Sequence, residues 1–99
     1  MFENHLPTAE LQALDAAHHM HPFTDGDGLA QKGARIITKA KGVWVTDSEG
    51  EEILDGMAGL WCTSLGYSNQ ELAEVAYEQL KKLPFNHLFS GRSHDPAIE

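Results

Sequence analysis

Val43-Trp44-Val45-Thr46, Asp47-Ser48-Glu49-Gly50 and Glu52-Ile53-Leu54-Asp55 follow one another almost without a break, and their order decides the fold. The first four residues are β-branched or aromatic, as suits a strand. The second four carry turn chemistry, with Gly50 placed to take a positive φ. The third four read as a short returning strand. Upstream, Ala34 to Lys39 centres on Ile36-Ile37 and reads as another strand, joined through a turn at Lys41-Gly42. Three strands with links this short form an antiparallel meander over 34–55.

Helices are expected on both sides. Leu6-Pro7-Thr8 opens one, with Thr8 as N-cap and a helix from Ala9 to about His19, where Leu11, Leu14 and His18 share a stripe and Pro22 stops the chain. Phe23 to Gly33, rich in Asp and Gly, reads as loop. Gly26-Asp27-Gly28 is no dinucleotide fingerprint, because it follows no strand and opens no clear helix. Beyond the meander, Gly56 to Tyr67 is Gly-rich and irregular, yet it carries Met57, Leu60, Trp61, Cys62 and Leu65. Ser68-Asn69-Gln70-Glu71 has the form of a capping box for a helix running to about Leu83. Its face is Leu72, Val75, Ala76, Gln79, Leu80 and Leu83, with a Glu78–Lys82 pair on its surface. Asp95 as N-cap and Pro96 at the first helical position start a further helix. The sequence stops three residues later. One helical turn is unstable alone, so the end reads as a cut. The fold class is α+β, incomplete as a domain.

Composition narrows the function. The 99 residues suffice for one small domain, and the net charge is -8 with only seven Lys and Arg. Nucleic acid is excluded as a partner, because phosphate binding needs clustered basic residues. No apolar run is long enough to span a bilayer. Residues 1–10 show no signal-peptide pattern. The single Cys62 permits no internal disulfide and suits a reducing cytoplasm. It reads as a buried thiol, since no base stands in a recognisable motif beside it. His18, His19 and His21 cluster, but no carboxylate or thiol completes a known metal spacing, so they read as a polar helix end and no metal is expected. Trp44 reads as packing. Arg92 has two readings: an anion binder, or a partner for an acid such as Asp95.

Asp47-Ser48-Glu49-Gly50 followed by Ile53-Leu54-Asp55-Gly56-Met57-Ala58-Gly59-Leu60-Trp61-Cys62 resembles class III aminotransferases, particularly the ω-amine:pyruvate group. His21-Pro22-Phe23-Thr24-Asp25 is similar to the segment that folds over the active site in that family. Phe89 to Pro96, with Gly91-Arg92-Ser93-His94, is similar to the passage before the family's next helix. The resemblance covers nearly the whole chain. It divides it into a helix and active-site-covering segment (1–33), the meander (34–55), and a pocket loop with its helix and the start of the next (56–99).

The resemblance implies an enzyme of fold type I, dimeric or larger, dependent on pyridoxal 5'-phosphate (PLP), moving an amino group between an amine or ω-amino acid and a keto acid such as pyruvate. It implies that Phe23, Leu60 and Trp61 wall the substrate pocket, and that Phe89 reaches the pocket of the partner subunit. Without the resemblance, Trp61 and Phe89 would read as core. Ser90 departs from relatives that carry a second aromatic there, which implies a wider pocket. No catalytic or cofactor-binding residue is carried over: the phosphate motif, the aspartate and the Schiff-base lysine of the family lie beyond Glu99, and Lys32, Lys39, Lys41, Lys81 and Lys82 match none of them. The large PLP-binding domain is mostly absent, and the chain alone is expected to be inactive. Two other readings stand beside this one. The parent could be another class III member, a diamino-acid or ornithine-type aminotransferase or a mutase. Alternatively the chain could be a stand-alone binding or dimerisation module.

Overall fold

In the computed structural model, residues 4–99 are described; the part of the signal-peptide reading that falls on residues 1–3 lies outside them. The chain forms two compact units, the first reaching Tyr67 and the second spanning Ser68–Glu99.

The first unit carries the expected meander. Strands β1 (Ile37–Lys41), β2 (Trp44–Asp47) and β3 (Glu52–Leu54) pair antiparallel in the order β1-β2-β3. Trp44 lies opposite both Lys41 and Leu54. The first strand starts at Ile37, three residues later than Ala34, and a register shift between Ile37 and Lys39 interrupts its ladder with β2. The Thr38 hydroxyl donates there to the carbonyls of Thr46 and Asp47, both at 3.3 Å. At the β2–β3 turn, buried Asp47 accepts the N–H groups of Glu49 (3.0 Å) and Glu51 (2.9 Å) through one carboxylate oxygen. Gly50 takes φ 87°, as the turn requires.

Two helices precede the sheet. Helix α1 is Thr8–His18, one residue earlier than the sequence suggests, with Pro7 at the N-cap. Thr8 is not the cap: its hydroxyl donates instead to Ser48 Oγ at 2.8 Å, tying the helix to the β2–β3 turn. Gln12 donates to the Ala34 carbonyl at 2.9 Å and fixes α1 to the approach to β1. The expected loop 23–33 contains helix α2, Gly26–Lys32. Asp25 caps it by accepting from the Asp27 N–H, and Gly33 ends it at φ 76°. The Asp and Gly residues read as breakers are thus the cap and terminator of a helix, and Gly26-Asp27-Gly28 is its first turn.

A short helical turn, α3 (Ala58–Trp61), follows β3. The chain then returns to the sheet at Tyr67, which exchanges two backbone hydrogen bonds with Gly42, at 2.7 and 3.0 Å. Gly66 makes this possible. Its φ is +83°, and a Cβ there would stand 3.0 Å from the Gly42 carbonyl oxygen.

The second unit is built on helix α4, Gln70–Lys82. The expected capping box is displaced by one residue. Asn69 is the N-cap, accepting from the Leu72 N–H at 3.1 Å, while Ser68 has φ 57°. Glu78 pairs with Lys81 at 3.4 Å and not with Lys82, whose ammonium donates to Asp95. That contact holds the Asp95 carboxyl below the usual carboxylate range. It also takes Asp95 out of its expected capping role: His94 is the N-cap of a single 3-10 turn, Asp95–Ala97.

Among the described residues only Ala34, Thr46 and Asp47 are buried, and no side chain is fully enclosed. Leu72, Val75 and Leu80 of α4 are each more than half exposed. No helix among these residues is long and apolar enough to cross a membrane. Local order therefore rests on hydrogen-bonded turns and caps more than on a core. Replacing Gly66 by Ala should cost about 1–2 kcal/mol, from the left-handed backbone alone. This should appear as roughly 5–30-fold faster hydrogen exchange at the Gly42 and Tyr67 amides. Asn69→Ala should lower the helicity of α4 by circular dichroism, at a cost of about 1 kcal/mol.

Candidate functional site

The segment from Asp55 to Tyr67 is not irregular. Four successive residues, Ala58, Gly59, Leu60 and Trp61, have φ between 50° and 70°. They form one turn of left-handed helix. Only Gly59 takes this conformation freely; each of the other three pays about 1–2 kcal/mol for it. Such strain persists where its surroundings over-determine it.

Asp55 supplies that constraint. One carboxylate oxygen accepts the Met57 N–H at 2.9 Å. The other accepts the Gly59 N–H at 3.3 Å and the hydroxyl of Tyr67. The Cys62 and Thr63 N–H groups both return to the Ala58 carbonyl, at 2.8 and 2.9 Å, and close the turn behind it. Tyr67 is itself held to Gly42, so the turn is anchored to the sheet through one phenol. The Tyr67 hydrogen bond is the main reason the Asp55 carboxyl lies below its usual range, with the Met57 N–H next. The same bond, with desolvation, pushes the Tyr67 phenol up.

This turn presents Leu60 and Trp61 to the outside, 69% and 91% exposed. Cys62 is also exposed, contrary to its reading as a buried thiol, and its sulfur lies 3.5 Å from the Leu60 carbonyl. Phe23, fully exposed, has φ 50° and precedes α2. Trp44, expected as packing, is half exposed on β2.

In the second unit, Phe89 is 78% exposed and stacks on His87, with ring centroids 5.4 Å apart. It lies on a 3-10 turn, Phe89–Gly91, in which Ser90 takes φ 59°. Phe89, Leu83, Phe85 and His94 help line a cavity of about 500 Å³. Arg92 does not pair with Asp95: its guanidinium donates to His87 Nε2 at 3.0 Å.

At the end of α1, Asp15 accepts from His19 Nδ1 at 3.0 Å and from His21 Nε2 at 2.7 Å. The sequence reading missed this carboxylate. Asp15 lies one helical turn before His19, a spacing that places both on one face. His18, the member counted with them, is not part of the contact.

PLP needs a lysine for its aldehyde, a carboxylate for its pyridine nitrogen and a phosphate cradle. Lys81 is paired with Glu78 and lies 5.0 Å from the Tyr77 ring centre, and Lys82 is paired with Asp95. Lys32, Lys39 and Lys41 are exposed. At the start of α4, the Leu72 N–H is already taken by Asn69.

Residues 29–99 match the family description "Aminotransferase class-III". The chain belongs to the class III aminotransferases. Over 92 residues it is 54% identical to a putrescine–pyruvate aminotransferase of Pseudomonas aeruginosa, an alignment covering 93% of this chain and 20% of that protein. An (S)-enantioselective ω-transaminase from Thermomicrobium roseum superimposes with a TM-score of 0.86 at 42% identity, covering 96% of this chain and 21% of the other. An ω-transaminase from Pseudomonas jessenii, determined in complex with PMP, gives 0.81 at 41% identity over 89% and 19%. The chain thus spans about a fifth of the length of the relatives it matches. The helix–meander–helix order expected from the sequence is that of these class III aminotransferases.

Within this class III chain, the Asp55–Tyr67 clasp sets a pH window for the turn. A lowered Asp55 pKa makes its contribution complete above about 4, to be lost as pH falls through the depressed value. A raised Tyr67 pKa makes its contribution complete below about 10, to be lost as pH rises through the elevated value. Ultraviolet titration at alkaline pH should show a late phenol step accompanied by a change in tryptophan emission. Tyr67→Phe should remove that step; its persistence in the variant would rule out the clasp.

Proposed function

We propose that this chain supplies part of the substrate-pocket wall of a PLP-dependent ω-aminotransferase, which transfers an amino group from a primary amine or ω-amino acid to a keto acid such as pyruvate. The observation that carries the reading is the strained left-handed turn at Ala58–Trp61, which holds Leu60 and Trp61 outward on a hydrogen-bonded support. A fold gains nothing from such strain unless the displayed side chains have a use. Leu60, Trp61 and Phe23 provide apolar area that receives an uncharged substituent and excludes water. Phe89 does the same for the pocket of a partner subunit in a homodimer or larger assembly.

The similarity to a putrescine–pyruvate aminotransferase supports an amine donor and pyruvate as acceptor. The exposed apolar face of α4 supports a fragment reading over a stand-alone module, because a self-sufficient domain covers such a surface. In the parent, this face packs against the remainder of the protein. The three segments 1–33, 34–55 and 56–99 then act as active-site cover, supporting sheet and pocket loop. A cytoplasmic enzyme accords with the free, exposed Cys62.

PLP supplies the electron sink of transamination, and its lysine lies outside this chain. Incubation of the chain with PLP followed by borohydride should leave no stoichiometric label on any one lysine, and amine plus pyruvate should give no turnover. A single lysine labelled to completion would refute the proposed division of labour. A dye that fluoresces on apolar surface should bind the chain; a cooperative unfolding transition without dye binding would favour the module.

A further inference from the structure

The end of α1 holds a constellation that the aminotransferase reading does not use. Asp15, His19 and His21 bring one carboxylate oxygen and two imidazole nitrogens within 4.8 Å of one another. Asp15 and His19 stand i and i+4 at the close of the helix, and His19 is its C-cap. His21 comes two residues later, where Pro22 favours an extended backbone, and its ring reaches back to Asp15. The two imidazole rings lie 4.4 Å apart and tilted by 45°, with the Asp15 carboxylate bonded to both. Asp15 and His21 are largely covered, their side chains 16% and 25% exposed.

We propose that Asp15, His19 and His21 bind one divalent transition cation, Zn²⁺ being the best fit. The donor set is two imidazole nitrogens and one carboxylate oxygen, a borderline combination suited to zinc, nickel or copper and poor for calcium or magnesium. Zinc takes such ligands at about 2.0–2.2 Å in a tetrahedron, which places donor atoms roughly 3.3 Å apart. The His19 and His21 contacts, at 3.0 and 2.7 Å, run to different oxygens of Asp15 and both are shorter than that value, while one ligand atom from each residue lies within 4.8 Å of the other two. Small rotations of the two imidazoles open the space. Each neutral ring moves its hydrogen to its other nitrogen, so His19 offers Nδ1 and His21 offers Nε2 without a net change in protonation. Two neutral imidazoles and one carboxylate leave a charge of +1 on the site. A fourth position remains for water or a small anion, on the side of a cavity of about 840 Å³ that the same three residues help line.

A purely structural role explains the arrangement less well. A carboxylate in the last turn of a helix faces the negative end of the macrodipole. Capping needs one imidazole near the terminal carbonyls, and here two are drawn to one acid.

The test uses the full 99-residue chain, freed of metal by a chelator and titrated with Zn²⁺ against a chromophoric competitor. One equivalent should bind. Asp15→Asn, His19→Gln and His21→Gln should each weaken it roughly tenfold or more, because each removes a protein ligand. His18→Gln, one residue from the set, should leave it unchanged, which separates a built site from the general affinity of a histidine-rich stretch. Far-ultraviolet circular dichroism of every variant shows whether α1 persists. Co²⁺ in place of Zn²⁺ should give the visible absorption of a four-coordinate ion, a readout independent of helix stability. Binding weaker than about 0.1 mM, several equal sites, or equal weakening by His18→Gln would each overturn the proposal. None of these outcomes depends on transaminase activity.

Discussion

The carboxylate of Asp55 fixes the course of the chain on either side of it. Behind it, the Asp55 N–H closes on the Val43 carbonyl at 2.9 Å and finishes the meander. Ahead of it, its two oxygens take the Met57 and Gly59 N–H groups and force the backbone into a left-handed turn. Across from it, Tyr67 donates to the same carboxylate while its backbone clasps Gly42. Remove the acid and three N–H or O–H donors lose their acceptor, while three non-glycine residues remain in a conformation they would leave. Leu60 and Trp61 stand on the turn that this one polar group braces.

The device recurs. Asp25 accepts from the Asp27 N–H, Asp47 from Glu49, Asp55 from Met57, each two residues ahead, and Asn69 from Leu72, three ahead. Four Asx side chains thus open or shape α2, the β2–β3 turn, α3 and α4. Short side-chain acceptors bond locally and need no partner distant in sequence. This explains how a chain that buries almost no apolar side chain can still have well-defined turns. Its hydrophobic residues lie in orderly rows, as on α4, but most of their area is still open.

The same contrast explains what was legible in the sequence. The meander was, because strand composition and the Asp47–Gly50 turn are local signals. So was α4, because its apolar spacing is periodic. The helix at Gly26–Lys32 was not: its Asp and Gly residues serve equally as breakers and as caps, and only the backbone path tells the two apart. Ser68 and Asn69 were adjacent candidates for one cap, and a φ of 57° at Ser68 gave it to Asn69. Lys82 turned from Glu78 to Asp95 because the chain folds back after Pro84, a contact thirteen residues long that no helical spacing announces. At the candidate site, the aromatic positions came from family resemblance. Their support, Asp55 and Tyr67, has a signal in the Asx spacing at one end and none at the other.

Strain and exposure together carry more weight here than either alone. Exposed aromatics are ordinary in a chain that leaves most of its apolar area open, and Phe85 is as exposed as Phe89. Left-handed non-glycine residues also occur singly, as at Phe23 and Ser68. At Ala58–Trp61 the two coincide over consecutive residues and are backed by a carboxylate with three donors. A backbone that settled only for burial would place Trp61 inward, where its area would stabilise the fold by an amount comparable to the cost of the turn. The chain instead spends hydrogen bonds to keep that ring outside. In the pocket role proposed above, that ring's partner is a substrate or the rest of a transaminase.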